Sequence, residues 1–354
     1  MYKFLFGLLI LIICSSETLA AQDLVEDKIK YSAAKLLQDK RFTSVSIGVV
    51  YNNKSQSEHL GELTRDQNNT PTDSTIYEIG SVSKTIVGLM IANAELEGKL
   101  DINENINVYL DNKLSRVSPA NNPITIKQLL THSSGLPNSN EDMGLAFNEL
   151  NQQRFIESVN AYSIEDDKGQ FRYSSVGTEL LCYILEEIEG LPFEEQLTQF
   201  LNKNIEMKNT RVNLLPQNFP FFAYGYNTEQ EIAKSHTAAN KLWGGSGYIK
   251  ASMQDLMKYM QFQLQNNNKL VQLSQSKLFD ITETDGFGYL WILSQDPKLG
   301  KYIIHHGGVE STQNWMVIFP NHELAISVVT NSSFPETARI LRELVMDLAN
   351  RLLA

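Results

Sequence analysis

The stretch YEIGSVSKTIVGLM, Tyr77 to Met90, sets serines, a lysine and a glycine-opened turn ahead of an apolar run. Tyr77 to Ile79 reads as a short extended entry. From Val82 to Glu97 the apolar spacing is helical, with Gly98 as the stop. Ser81 therefore falls at a strand-to-helix junction, where Gly80 permits a sharp turn. A helix start offers unpaired N–H groups and a partial positive charge, which suits a developing oxyanion. Lys84 lies one turn on, on the same face, within reach of the Ser81 hydroxyl. The spacing S-x-x-K alone does not separate a nucleophile and its amine from an N-cap serine beside a solvated lysine. The chain carries that spacing three times, at Ser32–Lys35, Ser81–Lys84 and Ser274–Lys277.

Outward from the junction, residues 24–38 form an amphipathic pattern with Val25, Ile29, Ala33 and Leu36 on one face, so Ser32 and Lys35 sit on a surface helix. TSVSIGVVYNNKSQSEHLGEL reads as two strands around the turn NNKS. The middle is mostly helical: TIKQLLTHSSGLP, SSVGTELLCYILEEIEG and SMQDLMKYMQFQLQN each carry helix spacing with a start or stop signal. Beyond Asp285 the runs FGYLWIL, KYIIHHGG, NWMVIFP and LAISVVTN are short and β-rich, and a last helix spans Glu336 to Leu352. Strands at both ends and helices between them predict an α+β fold. One antiparallel sheet is built from both chain ends and flanked by helices, with a mostly helical lobe inserted. The expected division is one domain over residues 22–354, with the sheet part near 22–80 and 285–354 and the lobe near 81–284. A site belongs at the seam of lobe and sheet.

The chain has 354 residues, 42% apolar and 20% charged, with a formal charge of −11. That acidity argues against nucleic acid as a partner, because phosphate contacts need a basic surface. Lys3, the apolar run FLFGLLILIIC and the exit TLAAQD read as a secretory signal over residues 1–21, which predicts a periplasmic or secreted protein. That run falls short of the ~20 residues that span a bilayer, so no transmembrane span is expected in the mature chain. Lipid anchoring would use Cys14, but Ile13 stands where a small residue is expected. Cleavage leaves Cys182 alone, in an apolar helical pattern, as a small core residue. No H-E-x-x-H or Cys/His cluster occurs, so neither metal nor cofactor is expected. No serine is flanked as G-x-S-x-G, which argues against an α/β-hydrolase.

Taken together, YEIGSVSKT, ITIKQLLTHSSGLP, YSSVGTELLCYILEEIEGLPFEEQLTQFLNKNIEMKNT, GGSGYIKASMQDLMKYM and IIHHGGVESTQNWMVIFPNHELAISVVTNSS resemble, in order, the serine β-lactamases and penicillin-recognising hydrolases. The branch indicated is that of class C β-lactamases with their esterase and D-amino-acid peptidase relatives. The resemblance implies that Ser81 is the acylated nucleophile and Lys84 its partner. The family's Tyr-x-Asn motif falls at Tyr173-Ser174-Ser175, which makes Tyr173 a proton shuttle. The Lys-Thr-Gly or His-x-Gly motif falls at His305-His306-Gly307; His306-Gly307-Gly308 also fits, and His305 is preferred because it aligns without a gap. Gly308 and Ser81 would supply the oxyanion-hole N–H groups, with Ser175 and Gly307 against substrate. His132 in LLTHSSGLP matches a landmark read as structural, and His59, His236 and His322 read as exposed.

The implied function is an exported hydrolase that cleaves an ester or amide through an acyl-enzyme on Ser81. Its substrate would be a β-lactam, a D-amino-acid peptide or a small ester. Whether Lys84 or Tyr173 is the base stays open. His305 stands where lactamases hold a substrate carboxylate with lysine, and a neutral imidazole is a weaker clamp. Ser175 replaces an asparagine and lacks its paired NH₂ and C=O. Both departures favour esterase or peptidase chemistry over β-lactam hydrolysis. They also leave room for a non-catalytic penicillin-binding-like sensor on the same scaffold. The aromatic segment PQNFPFFAYGYN, Pro216 to Asn227, would line an acyl pocket or pack between lobe and sheet.

Overall fold

The computed structural model describes residues 23–164, 168–233 and 241–354; the signal read at 1–21, Cys14 and His236 lie outside them. In chain order come helix α1 (residues 23–36), then strands β1 (Ser44–Tyr51), β2 (Lys54–Gly61) and β3 (Ile76–Glu78). A 3-10 turn, Gly80–Val82, leads into α2 (Ser83–Leu96), α3 (Ile106–Tyr109), α4 (Ile126–Leu130), α5 (Gln152–Ala161), α6 (Ser175–Glu189) and α7 (Phe193–Ile205). Strand β4 (Lys250–Ser252) opens the return, followed by α8 (Met253–Gln263) and α9 (Lys269–Ser274). Strands β5 (Phe279–Asp280), β6 (Gly286–Phe287), β7 (Ile292–Asp296), β8 (Gly300–Gly308), β9 (Gln313–Phe319) and β10 (Leu324–Thr330) then precede α10 (Thr337–Leu352).

Both chain ends meet in an eight-stranded sheet of order β2-β1-β10-β9-β8-β7-β6-β5, antiparallel at each pairing. The expected α+β architecture holds. The β1–β2 turn is tighter than NNKS suggests. Asn52 and Asn53 alone make it, at φ 49° and 62°, and Lys54 already pairs with Tyr51. Asparagine tolerates that left-handed backbone, and the pair twists with the flanking strands. The sheet also begins earlier than the change of character at Asp285, because Phe279 and Asp280 pair with Phe287 and Gly286.

Period-two alternation makes both faces apolar. Val45, Ile47 and Val49 of β1 pack with Ile29 and Ala33 of α1 and Leu341 and Val345 of α10. On the other face Val50 joins the core shared with the lobe helices. There Gly48 makes room for α8, since a Cβ on it would lie 2.6 Å from Met253 Sδ. Strand β3 pairs with β4 in a separate two-stranded sheet that leads into the Ser81 turn. Among the described residues no helix is long and apolar enough to cross a membrane.

Candidate active site

The junction that carries Ser81 is built by close backbone contact. Gly80 adopts φ +51°, and a Cβ there would lie 2.6 Å from the Gly308 nitrogen. Across from it, a Cβ on Gly307 would lie 2.0 Å from the Ile79 carbonyl oxygen. Two chain segments thus touch through glycines, which sets the end of β8 beside Ser81. Ser81 is not an N-cap: neither the 3-10 turn nor α2 receives a side-chain cap, and the cap position of α2 is Val82. Its hydroxyl is left for other partners.

Those partners come from α2 and from the residues just before α6. Lys84 Nζ lies 3.1 Å from Ser81 Oγ and also donates to the Ser246 carbonyl. Lys84 is fully buried, and burial lowers its pKa to about 7, against a smaller upward pull from Glu179. Tyr173 shares a hydrogen bond with Ser81, and burial raises its phenol to about 12. The Lys84 ammonium position is 5.1 Å from the Tyr173 ring centroid.

His305 completes the cluster from β8. It is 2% exposed, and its Nδ1–H donates to the His306 carbonyl at 2.8 Å, which leaves Nε2 as the unprotonated nitrogen. Burial, then the neighbouring Lys84, pushes its pKa down to about 3, so it is neutral at pH 7. His306 is on the opposite face, its ring 4.9 Å from that of Trp315 and tilted 37° to it, and bonded to Gln313. Strand alternation therefore separates the two histidines.

A cleft of about 350 Å³ opens over Ser81 and is walled by Ser175, Ser246, Gly247, Tyr248 and Gly308. Ser81 and Gly308 both line it, while Gly307 presses on Ile79 behind it. Ser175 donates from its hydroxyl and its backbone N–H to Asn138 Oδ1, at 3.0 and 3.3 Å. An asparagine carboxamide thus sits at the spot where Ser175 lacks one, supplied by the loop after α4.

Three neighbours were not legible as site residues. His132, read as structural, is fully buried with its ring 4.4 Å from that of Tyr173, and its Nδ1 accepts the Ser174 N–H at 3.2 Å. Asn138 and Glu179 also line the cleft, and nothing in their local sequence marks them. Two histidines read as exposed are partly buried and bonded. His322 Nε2 donates to the Leu299 carbonyl at 3.0 Å. His59 links Ser46 Oγ at 2.8 Å to Asp73 at 3.1 Å. That second serine–histidine–aspartate string has no access to substrate, because Ser46 is fully buried and also bonded to Tyr77. Most of PQNFPFFAYGYN lies away from the cleft: Ala223 bonds β3 at Ile76 and Tyr226 bonds Asn331 past β10. Among the described residues no group of three or more His, Cys, Asp or Glu could hold a metal ion.

A family model described as Beta-lactamase matches residues 25–351. A β-lactamase of Providencia stuartii is 24% identical over 247 residues, 69% of this chain and 60% of its own. Protein flp of Staphylococcus aureus strain MW2 is 24% identical over 324 residues, 89% of this chain and 64% of its own. The chain thus spans under two thirds of the length of these curated relatives. A class C β-lactamase from Rhodobacter sphaeroides superposes with TM-score 0.80 at 19% identity, over 93% of this chain and 100% of that one. A β-lactamase/D-alanine carboxypeptidase from Pseudomonas syringae gives 0.79 at 19%, over 93% and 98%. The structural likenesses carry the fold, and the match along nearly the whole chain carries the kinship: this chain belongs to the Beta-lactamase family.

Proposed function

We propose that the chain is a serine hydrolase that cleaves an ester or amide through an acyl-enzyme on Ser81. The observation that carries this reading is a buried amine, with its pKa near 7, 3.1 Å from a partly buried hydroxyl that lines a cleft. At pH 7 about half of such an amine is neutral and able to take the Ser81 proton. Tyr173, raised to about 12, stays protonated there, which favours Lys84 as the base and Tyr173 as the donor to the leaving group. The Ser81 and Gly308 N–H groups then face the oxyanion. Removing one such donor costs roughly 3–4 kcal/mol in other hydrolases. Water releases the acyl group in the second half-reaction.

Neutral His305 offers no positive charge to a substrate carboxylate. This supports a small ester or peptide over a β-lactam. Kinship with a D-alanine carboxypeptidase fold keeps D-amino-acid peptides in the panel. Export rests on residues 1–21 alone. The test is intact-mass analysis after exposure to an activated ester, a D-alanyl peptide and a penicillin. A transient adduct that Ser81→Ala abolishes is expected. A permanent adduct with no turnover on any substrate would make the chain a penicillin-binding-like sensor instead, and no adduct at all would end the reading.

A further inference from the structure

Beside the cleft, α6 buries a carboxylate that the steps above do not use. Glu179 is 3% exposed. Its Oε2 accepts the N–H groups of Trp243 and Gly244 at 3.1 and 2.9 Å, and its Oε1 accepts that of Ser246 at 2.9 Å. Three converging backbone donors are an anion-binding arrangement, here filled by the chain's own side chain. Ser246 is the connecting residue. Its N–H is held by Glu179, and its carbonyl accepts from Lys84 Nζ. The loop cannot drift toward the helices, because a Cβ on Gly245 would lie 2.3 Å from Cys182 Sγ and 2.6 Å from Val87 Cγ2.

We infer that Glu179 is a positioning residue: by gathering the Trp243, Gly244 and Ser246 amides it fixes the carbonyl that holds Lys84 against Ser81. The inference rests on the reading of Lys84 as the base for Ser81. Glu179 and Cys182 face Lys84 from α6, Tyr173 from the residues before it, His132 from the loop after α4, and His305 from β8. Among these, Glu179 is the group that brings negative charge. Glu179 is itself faced by Lys84, Cys182 and Tyr248. A negative charge near a buried amine favours its protonated form, opposing the effect of burial. Too little of that pull leaves a poor proton acceptor, and too much leaves the amine charged at neutral pH.

The test uses the full chain with ¹³C-labelled lysine Cε, as wild type, Glu179→Gln and Glu179→Asp. Lys84 is assigned by the loss of its resonance in Lys84→Arg. Two quantities are read: the midpoint of Lys84 titration, and the rate of Ser81 phosphonylation by a fluorophosphonate at pH 9, where the amine is neutral in each variant. In Glu179→Gln the midpoint should fall by about one unit. Labelling should slow by about tenfold or more as the carbonyl loses its anchor. Glu179→Asp keeps the charge, so its midpoint should stay near that of wild type while labelling slows. A Glu179→Gln midpoint equal to wild type, or labelling at the wild-type rate, overturns the inference. If Glu179→Gln does not fold, Glu179→Asp decides, and undiminished labelling overturns it. If wild type resists the probe while the midpoint still falls in Glu179→Gln, the Ser81 reading fails and the coupling of Glu179 to Lys84 stands.

Discussion

At the residue scale, Lys84 shows a conflict between stability and chemistry. Its folded pKa is about 7 against an unfolded value near 10.5. Between those values the unfolded chain holds the extra proton, so stability rises with pH through that window. At and below pH 7 the charge is buried at a cost. Lys84→Met should therefore abolish Ser81 acylation yet raise stability at pH 7 by about 2 kcal/mol, after its lost hydrogen bonds are counted. The gain should shrink toward pH 10, as urea unfolding at several pH values would show. In the wild type, acylation should rise with pH around a midpoint near 7. A flat profile from pH 5 to 9 would remove Lys84 as the base. Ser81 and Lys84 were legible because they are neighbours on one helical turn. Tyr173 and His305 needed the whole-chain resemblance to be singled out. Glu179 and Asn138 carried no signal, since a polar residue on an amphipathic helix or in a loop looks solvated until the facing segment is known.

At the element scale, the site depends on where β8 stops against the Ser81 turn. Gly307→Ala would drive a methyl into the Ile79 carbonyl oxygen, 2.0 Å away. The end of β8 should shift, and with it the Gly308 N–H. Ser81 acylation should fall by about 10²-fold or more with the secondary structure retained. Circular dichroism beside stopped-flow labelling would check both. Helix α4 gives a contrasting case. Thr125 accepts the Gln128 N–H, and Gln128 accepts the Thr125 N–H, a capping box. Thr125→Ala should cost about 1 kcal/mol in urea unfolding. Labelling should slow only if α4 also holds His132 against Tyr173. The elements themselves were readable, α2, α6 and α10 to within a residue and α8 except for the last three residues of the stretch read for it, because apolar spacing and caps are local signals. The hairpin turn came out shorter than NNKS because pairing with β1 extends β2 back to Lys54.

At the scale of the molecule, two buried histidines tie stability to acid. Burial holds His132 well below the ordinary histidine range and His305 at about 3. Their folded values lie below the unfolded one near 6.5, so the unfolded chain takes up protons first as pH falls. The part of the stability that these histidines govern should be complete above pH 6.5 and decline toward pH 3, with His305 alone contributing a loss of about 2 kcal/mol by pH 5. Calorimetry of wild type and His305→Gln should show a smaller decline in the variant; parallel curves would refute the assignment. The chain's periodicities and punctuation by themselves determined the individual strands and helices, their order with strands toward both ends and helices between, and the Gly80–Ser81 junction, because each depends on residues within a turn or a strand of one another. Only tertiary packing decided that His305 and not His306 faces Lys84, that His132 backs Tyr173, and that Glu179 is wrapped by the Trp243–Ser246 amides. Those contacts join segments tens to hundreds of residues apart, and their direction is set by how the helices and the sheet exclude water between them.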